Sequence, residues 1–316
     1  MNTPAHIPVL VPEVVEMLNL KHGDHVVDAT LGGGGHAQAM LEAIAPRGIL
    51  IGIDLDRSAL DRAKIRLAKY KNRIILKRGT YCTVKDIVYE SRINTISAIL
   101  LDLGLSRDQL EDQSRGFGFQ TQGQLDMRFS DEEGVTAADI VNSWSEDDLT
   151  HIFRIYGEER HAARVANLII ATRKLAPIKT VPELVALVMR GVGRRGGHRS
   201  HPATRIFQAL RIAVNKEFEN IETAIPDMIG ILKPGGRLAV LTYHSLEDRI
   251  VKYLFRDAAR DCVCPPEAPQ CSCDHRATIR LVNRRVVVPG DDEQKRNPSS
   301  RSAKLRVIEK IAPTTV

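Results

Sequence analysis

The sequence predicts an α/β protein in which a doubly wound parallel sheet is interrupted by an inserted helical domain. Short apolar runs alternate with amphipathic segments over residues 25–101, which is the βαβα rhythm of such a sheet. From about residue 115 to 205 only helical spacing remains, and strand-like runs resume near residue 236. We therefore expect a discontinuous sheet domain formed by residues 1–114 and 206–316, with a helical insert at residues 115–205.

Each predicted element rests on a local pattern. Four apolar runs in the first part of the chain indicate buried strands at residues 25–29, 49–53, 73–76 and 96–101. Helical spacing follows the first two strands at residues 37–44 and 58–70. The insert contains helical segments at residues 137–144, 146–156, 158–174 and 181–189. After the turn KPGG at residues 233–236, the last elements are a strand, a helix and two strands at residues 236–243, 246–259, 278–282 and 305–308.

Length and composition limit the class of protein. The chain has 316 residues, 43% of them hydrophobic, which suffices for one substantial core and a second, smaller module. No apolar run approaches the ~20 residues of a membrane span, and the N-terminal residues do not resemble a signal peptide. We expect a cytoplasmic protein without a membrane partner, whose oligomeric state, monomer or homodimer, stays open.

Positive charge is concentrated in one part of the predicted insert. The net charge is +6 and the pI is about 9.1, a balance that suits a polyanionic partner. No acidic residue lies between Glu183 and Glu217, whereas this interval contains the cations Arg190, Arg194, Arg195, Arg199, Arg205, Arg211 and Lys216. Several glycines accompany them, so we expect a loop that contacts phosphates, with a solvated loop of incidental charge as the alternative. Phe117 and Phe119 are the candidates for stacking on bases, whereas Phe207 and Leu210 fit the core of the next helix.

A glycine-rich turn follows the first predicted strand. Its sequence, DATLGGGGH at residues 28–36, stands between a strand and a helix, where glycines let the backbone approach a ligand and the helix start offers unpaired N–H groups. Asp54 ends the next strand, at the position where a carboxylate in this fold binds the ribose hydroxyls of an adenosine ligand. The turn begins with an acid and departs from the G-x-G-x-x-G/A pattern, so it favours S-adenosylmethionine over NAD.

Further blocks along the chain resemble one family. They are HIPVL at 6–10, DLG at 102–104, RGF at 115–117, LDMR at 125–128, HPATR at 201–205, HSLEDR at 244–249 and RSAKLR at 301–306. Together with the glycine turn they resemble the small-subunit ribosomal RNA cytosine-N4 methyltransferases (RsmH, also called MraW). The resemblance implies a class I methyltransferase-like fold and methylation of a cytosine N4 in the decoding region, with ribosomal RNA, within the assembled small subunit, as partner.

The resemblance also implies which residues bind the cofactor, S-adenosylmethionine. By position they are Gly34, Gly35, His36, Asp54, Tyr81, Asp102 and Gln109. Tyr81 stands where the family often has phenylalanine, so stacking on adenine is retained.

Catalysis requires hydrogen-bond acceptors beside the transferred methyl group, because the lone pair of a cytosine amino group is delocalised into its ring. Asp102 ends the fourth predicted strand and His244 ends the fifth, and the C-terminal ends of these strands open on the ligand crevice. We therefore expect Asp102 and His244 to be catalytic. The alternatives are a purely cofactor-binding role for Asp102 and a helix-anchoring role for His244, with Ser245 as the cap.

Two further questions stay open from the sequence. Cys262, Cys264, Cys271 and Cys273 could form a zinc site or two exposed thiol pairs, and we assign no metal ligand from sequence. The alternatives to an RNA methyltransferase are an assembly factor that binds RNA and holds S-adenosylmethionine as a structural ligand, and a DNA cytosine-N4 methyltransferase. The second is disfavoured because DLGL replaces the proline tetrad of DNA amino-methyltransferases at residues 102–105.

Overall fold

The chain folds into two compact units. The computed structural model describes residues 7–106, 109–110, 112–130, 134–193, 201–264, 270–273 and 275–312. One unit, the sheet unit, comprises Met1–Gly104 and Phe218–Val316, and the other, the helical unit, comprises Leu105–Glu217. Residues 105–114 and 206–217, assigned from sequence to the sheet domain, therefore fall in the helical unit.

The sheet unit contains a seven-stranded sheet. The strands are β1 Val26–Asp28, β2 Leu50–Asp54, β3 Ile74–Arg78, β4 Ile96–Asp102, β5 Leu232–Thr242, β6 Ile279–Leu281 and β7 Lys304–Lys310. Their order is β3-β2-β1-β4-β5-β7-β6. The pairs among β1 to β5 are parallel, whereas β7 runs antiparallel to both β5 and β6. The predicted doubly wound α/β fold is confirmed, with two antiparallel strands at one edge.

The helices follow the chain order of the predicted pattern. They are α1 Val11–Leu18, α2 Gly35–Ala43, α3 Arg57–Arg66, α4 Val84–Glu90, α5 Ala137–Ser143, α6 Glu146–Ile155, α7 Ala162–Arg173, α8 Val181–Val192, α9 Ala203–Asn215, α10 Glu217–Ile231, α11 Ser245–Ala258 and α12 Asp291–Arg296. Short 3-10 turns lie at Ala68–Arg73, Tyr81–Thr83 and Pro298–Ser302. Among the described residues, no helix has both the length and the apolar character needed to cross a bilayer.

Both faces of the sheet are buried. Successive strand residues belong alternately to two apolar clusters, as Val26 and Val27 of β1 do. Residues of α4, α10 and α11 complete one cluster, and residues of α1, α2 and α3 complete the other. This arrangement explains why the strands read as continuous apolar runs in sequence.

The turn predicted at KPGG lies within β5. Ile96 pairs with Leu232, and the next pair joins Ala98 to Arg237, so residues 233–236 bulge away opposite Ser97. Gly235 has a φ of 77°, a conformation that disfavours other residue types. The bulge thus separates a short first contact with β4 from the regular ladder.

The helical unit has its own core. Its helices bury a continuous apolar cluster that includes Leu149, Phe153, Leu184, Phe207 and Leu210. The last two confirm the prediction that they are core residues, and they explain why α9 belongs to this unit. Capping boxes begin α5 and α8, where Thr136 pairs with Asp139 and Thr180 with Glu183. The helix predicted from residue 158 begins only at Ala162, because Glu158 adopts a φ of 49°.

Candidate active site at the strand ends of the sheet unit

The glycine-rich turn joins β1 to α2 and has two kinds of glycine. A Cβ on Gly32 or Gly33 would meet no atom within 4 Å. On Gly34, whose φ is 77°, it would lie 3.3 Å from carbon atoms of α3 and of the residue that follows it, and on Gly35 it would lie 2.7 Å from Pro8. Gly32 and Gly33 therefore border open space, whereas Gly34 and Gly35 are glycines because the protein packs tightly around them.

Asp54, at the end of β2, holds the turn in place. Its Oδ2 accepts a hydrogen bond of 2.7 Å from the backbone N–H of Gly32, and its Oδ1 accepts one of 2.8 Å from the N–H of Asp56. Burial raises the pKa of Asp54 above its usual value, and these two donors act against that shift. The neighbouring Asp56 caps α3 by accepting from the N–H of Ser58 at 2.9 Å.

Asp28, at the end of β1, is a buried carboxyl group with a strongly raised pKa. Only 1% of the residue is exposed. Burial raises its pKa from 3.8 to about 7, and the nearby carboxylates of Asp102 and Asp54 add to the increase, while His36 opposes it. The N–H of Thr30 donates to Oδ1 at 3.3 Å, but Oδ2 has no hydrogen-bond partner among the described residues.

Asp102, at the end of β4, lies between a tyrosine and a histidine. The hydroxyl of Tyr243 donates to its Oδ1 at 2.9 Å, and its Oδ2 lies 3.6 Å from Nδ1 of His36. Its backbone N–H donates to Oγ1 of Thr30 at 2.6 Å. Burial and the charge of Asp102 raise the pKa of Tyr243 well above its usual value, so the phenol keeps its proton and acts as a donor.

Tyr243 was not a candidate from sequence, and its position explains a glycine. Gly104 has a φ of 100°, and a Cβ there would lie 3.2 Å from Cδ2 of the Tyr243 ring. The signal was available, since the tyrosine stands at the end of the strand beside the one that ends in Asp102.

The N-terminal segment holds His36 from the other side. Nε2 of His36 lies 2.8 Å from the carbonyl oxygen of Val9, and Pro8 packs against Gly35. The N–H of Leu10 donates to Oε1 of Glu293 at 2.8 Å, which ties this segment to α12. Residues 8–10 therefore support the glycine turn, a role that the sequence of this segment alone did not indicate.

His244 is the N-cap of α11. Its Nδ1 accepts from the N–H of Glu247 at 3.4 Å, and its Nε2 lies 3.0 Å from Oε1 of the same residue. The buried Glu247 also accepts from the N–H of Tyr243 at 2.9 Å. His244 itself, and not Ser245, is the capping residue, so the geometry matches the helix-anchoring alternative.

The two remaining candidates for cofactor binding are Tyr81 and Gln109. Tyr81 begins the 3-10 turn after β3, where its ring packs partly buried against the apolar cluster of the sheet. Gln109 belongs to the helical unit, and its Oε1 accepts from the N–H of Ser106 at 3.0 Å. The sheet unit therefore collects Gly34, Gly35, His36, Asp54 and Asp102 along the ends of β1, β2 and β4, and Tyr81 follows the end of β3.

The sequence model of the MraW methylase family matches residues 3–311. The chain belongs to the MraW methylase family. It is 48% identical to the ribosomal RNA small subunit methyltransferase H of Dehalococcoides mccartyi, over 97% of this chain and 86% of that protein. It is 47% identical to the protein of the same name from Thermomicrobium roseum, over 97% of this chain and 94% of that protein.

The methyl donor of this MraW methylase is S-adenosylmethionine, and the strand ends fit it. Three carboxyl groups stand at these strand ends, those of Asp28, Asp54 and Asp102, and the charges of the last two contribute to the raised pKa of Asp28. Such a cluster would repel the pyrophosphate of a dinucleotide, but it suits a ligand that carries a sulfonium cation. The buried Oδ2 of Asp28 and the open space above Gly32 and Gly33 are consistent with a ligand at this edge.

In the helical unit of this MraW methylase, Phe117 and Phe119, the two aromatic residues predicted to stack on bases, pack against the protein itself. Phe117 is buried in the core and stacks on Phe129 with ring centroids 5.6 Å apart, so the prediction that it stacks on bases is wrong. Phe119 is partly buried, and one side of its ring stacks on His201 at 4.4 Å. The neighbouring glycines suggested that these aromatic residues are exposed. Instead, Phe117 is part of the apolar core of the helical unit, and Phe119 packs against that core.

Two cations of the predicted phosphate-binding stretch have partners within the helical unit. Arg211 forms a two-point ion pair with Glu217, at 2.7 Å and 2.9 Å, and both side chains are shielded from solvent. Arg205 donates to the carbonyl oxygen of Glu158 at 3.2 Å. These two cations stabilise the helical unit, and Arg194, Arg195 and Arg199 lie outside the described residues.

Proposed function

We propose that this chain transfers a methyl group from S-adenosylmethionine to the N4 amino group of a cytosine in the decoding region of small-subunit ribosomal RNA. Support comes from membership in the methylase family and from relatives named ribosomal RNA small subunit methyltransferase H. The observation that carries the chemical part is the carboxylate of Asp102, held by Tyr243 at a strand end. The cytosine target and its location rest on the family resemblance.

In this proposal the glycine turn and β2 hold the cofactor. Asp54 binds the ribose hydroxyls while its carboxylate keeps the turn closed through Gly32. Tyr81 stacks on the adenine, and the backbone of the turn lines the ligand, at Gly34, Gly35 and His36 by resemblance and at Gly32 and Gly33 by the open space beside them. Gln109 enters the cofactor site by resemblance alone, since it lies in the helical unit.

The bound cofactor supplies an electrophilic methyl group on a sulfonium. Asp102 accepts a hydrogen bond from the cytosine amino group, which turns the nitrogen lone pair toward the methyl carbon and disperses the positive charge that develops on nitrogen. The Tyr243 hydroxyl fixes the carboxylate through a bond to Oδ1, which leaves Oδ2 on the side of His36. Asp102 is therefore the catalytic residue of the proposal.

His244 is a positioning residue in this proposal. As the N-cap of α11 it keeps Glu247 in place, and Glu247 in turn accepts from the N–H of Tyr243. Loss of His244 would disturb Asp102 only through this chain of contacts. The earlier expectation of a directly catalytic His244 is thus replaced by an indirect role.

We further propose that the helical unit, with the cationic stretch at residues 190–216, recognises the RNA. The ion pair of Arg211 leaves fewer cations for phosphates than the sequence suggests. Recognition would then depend mainly on Arg190, Arg194, Arg195 and Arg199, and affinity should fall with salt because each phosphate contact releases counterions.

The decisive experiment is transfer of labelled methyl groups to three substrates in parallel. Naked small-subunit RNA, assembled small subunits and DNA would be incubated with the full chain, and the modified nucleoside would be identified by mass spectrometry. We expect N4-methylcytidine in the assembled subunit. Transfer to DNA alone would replace the proposal by a DNA methyltransferase, and tight RNA binding without transfer to any substrate would replace it by an assembly factor.

A further inference from the structure

Four cysteines come together in the connection between α11 and β6. The Sγ atoms of Cys262, Cys264, Cys271 and Cys273 all lie within 4.8 Å of one another. The Sγ of Cys262 lies 3.4 Å from that of Cys271 and 3.7 Å from that of Cys273. The Sγ atoms of Cys271 and Cys273 are 3.7 Å apart. Two C-x-C pairs from different ends of the connection thus converge on one point.

These separations fit four ligands around a single ion. Four sulfurs that each lie ~2.3 Å from a tetrahedral zinc ion are about 3.8 Å from one another. A disulfide would require about 2.05 Å between sulfurs, and all four cysteines are free thiols in this structure. The sulfurs of Cys262, Cys271 and Cys273 therefore already have the spacing of a coordination tetrahedron, and the Sγ of Cys264 lies within 4.8 Å of each of them.

Backbone groups surround the sulfurs in a way that suits thiolates. The N–H of Cys264 donates to Sγ of Cys262 at 3.4 Å, and the N–H of Val263 donates to Sγ of Cys273 at 3.5 Å. Such donors stabilise negative charge on sulfur, the form in which cysteine binds a metal. His275, the other nearby candidate ligand, is already engaged, because its Nε2 lies 2.8 Å from the carbonyl oxygen of Asp257.

This connection lacks an apolar core of its own. Among its described residues, 260–264, 270–273 and 275–278, none is buried. Its far end is tied to α11 by the bond from the N–H of Thr278 to the carbonyl oxygen of Ala258, at 2.9 Å. With no buried side chain among these described residues, the connection would gain order from a metal that joins its two halves.

We propose that Cys262, Cys264, Cys271 and Cys273 bind one zinc ion that orders the connection between α11 and β6. With four protein ligands the ion has no open position, so its role is structural and not catalytic. Each thiol gives up its proton on binding, and the two C-x-C pairs become parts of one closed unit. This site is independent of the methyl-transfer chemistry at the strand ends.

The chain provides a matched control for the test. Cys82 is the fifth cysteine and lies in the turn after β3, where its thiol donates to the carbonyl oxygen of Asn220 at 3.5 Å. The full chain, Cys82→Ser, Cys262→Ser and Cys273→Ser would be purified without a histidine tag from medium that contains equal zinc and iron. Metal content would be measured by plasma mass spectrometry, and the intact mass by native mass spectrometry.

We expect about one zinc ion per chain in the unchanged protein and in Cys82→Ser, and at least a fivefold lower content in Cys262→Ser and Cys273→Ser. Cobalt loaded into the unchanged protein should give the absorption bands of a tetrahedral thiolate site, a result that does not depend on whether the variants fold. Three results would overturn the proposal: zinc-free protein with four reactive thiols, a mass lower by four hydrogens that indicates two disulfides, or iron in place of zinc.

Discussion

Asp54 and Asp28 end neighbouring strands of the same sheet, yet their surroundings differ. Burial raises the pKa of both carboxyls. Asp54 accepts two short backbone hydrogen bonds, whereas Asp28 accepts one of 3.3 Å and has an oxygen without a partner among the described residues. Both oxygens of the Asp54 carboxylate thus accept hydrogen bonds from the backbone, whereas Oδ2 of Asp28 accepts none from the described residues.

We infer from this difference that the carboxylate of Asp54 stabilises the turn, whereas that of Asp28 interacts with a positively charged ligand. An unsatisfied buried carboxyl is costly to the empty protein, and such a cost persists where it serves a ligand. Asp102 stands between these two cases, because Tyr243 satisfies one of its oxygens while the other faces His36. Substitution of each carboxyl in turn tests this assignment.

The largest effect is expected for Asp28→Asn, and it concerns stability. Because the pKa of Asp28 is 3.8 in its ordinary state and about 7 when folded, the unfolded chain binds fewer protons between these values. Stability of the unchanged protein therefore falls as pH rises through this window. At pH 8 the variant should be more stable without ligand, by on the order of 2–4 kcal/mol, and at pH 5 this advantage should be smaller by on the order of 2–3 kcal/mol. Denaturant unfolding at both pH values measures this.

The same variant should bind S-adenosylmethionine more weakly, because the sulfonium loses a nearby negative charge. Calorimetry on the variant and the unchanged protein at pH 8 provides the check. A variant that is no more stable at pH 8 than at pH 5, relative to the unchanged protein, would show that Asp28 is ionised and satisfied in the empty site.

The second effect concerns turnover and uses Asp102→Asn. The substitution keeps the size and one acceptor oxygen but removes the charge that faces a nitrogen becoming cationic. We expect kcat to fall ~10²-fold or more at saturating RNA while cofactor affinity is nearly intact, the pattern of an interaction made mainly in the transition state. Full turnover combined with a higher S-adenosylmethionine requirement would make Asp102 a cofactor-binding residue only.

Two further variants serve as comparisons for Asp102→Asn. Tyr243→Phe removes the hydroxyl that holds Oδ1 of Asp102, and turnover should fall by roughly 10- to 100-fold, the value of one hydrogen bond to a charged group. His244→Ala removes the cap of α11, so its main effect should be a lower melting temperature, with only a small change in kcat. A His244→Ala protein with unchanged melting temperature and reduced kcat would restore a direct catalytic role for the imidazole.

The sequence was most informative where a residue acts within its own segment. The strands, the glycine turn and the cap at Asp56 follow from local patterns, and the structure has them. It was least informative where a role depends on a distant partner. The contact of Val9 with His36 and the pairing of Tyr243 with Asp102 join residues far apart in the chain, and burial of Phe117 depends on the core of a whole unit. No periodicity or spacing encodes such contacts.

The smallest effect is expected for Asp54→Ala, and it tests the carboxylate that the fold already satisfies. S-adenosylmethionine binding should weaken by on the order of 1–3 kcal/mol, since the ribose hydroxyls lose their acceptor. Stability without ligand should fall as well, because the N–H groups of Gly32 and Asp56 lose theirs. Asp56→Ala is the matched control: it removes the cap of α3 at a cost of about 1 kcal/mol of stability, and cofactor affinity should be unchanged. Calorimetry and thermal unfolding on both variants separate the two consequences. If Asp54→Ala lost stability but bound the cofactor as tightly as the unchanged protein, Asp54 would serve only to close the turn, and the ribose would have to be held by another residue.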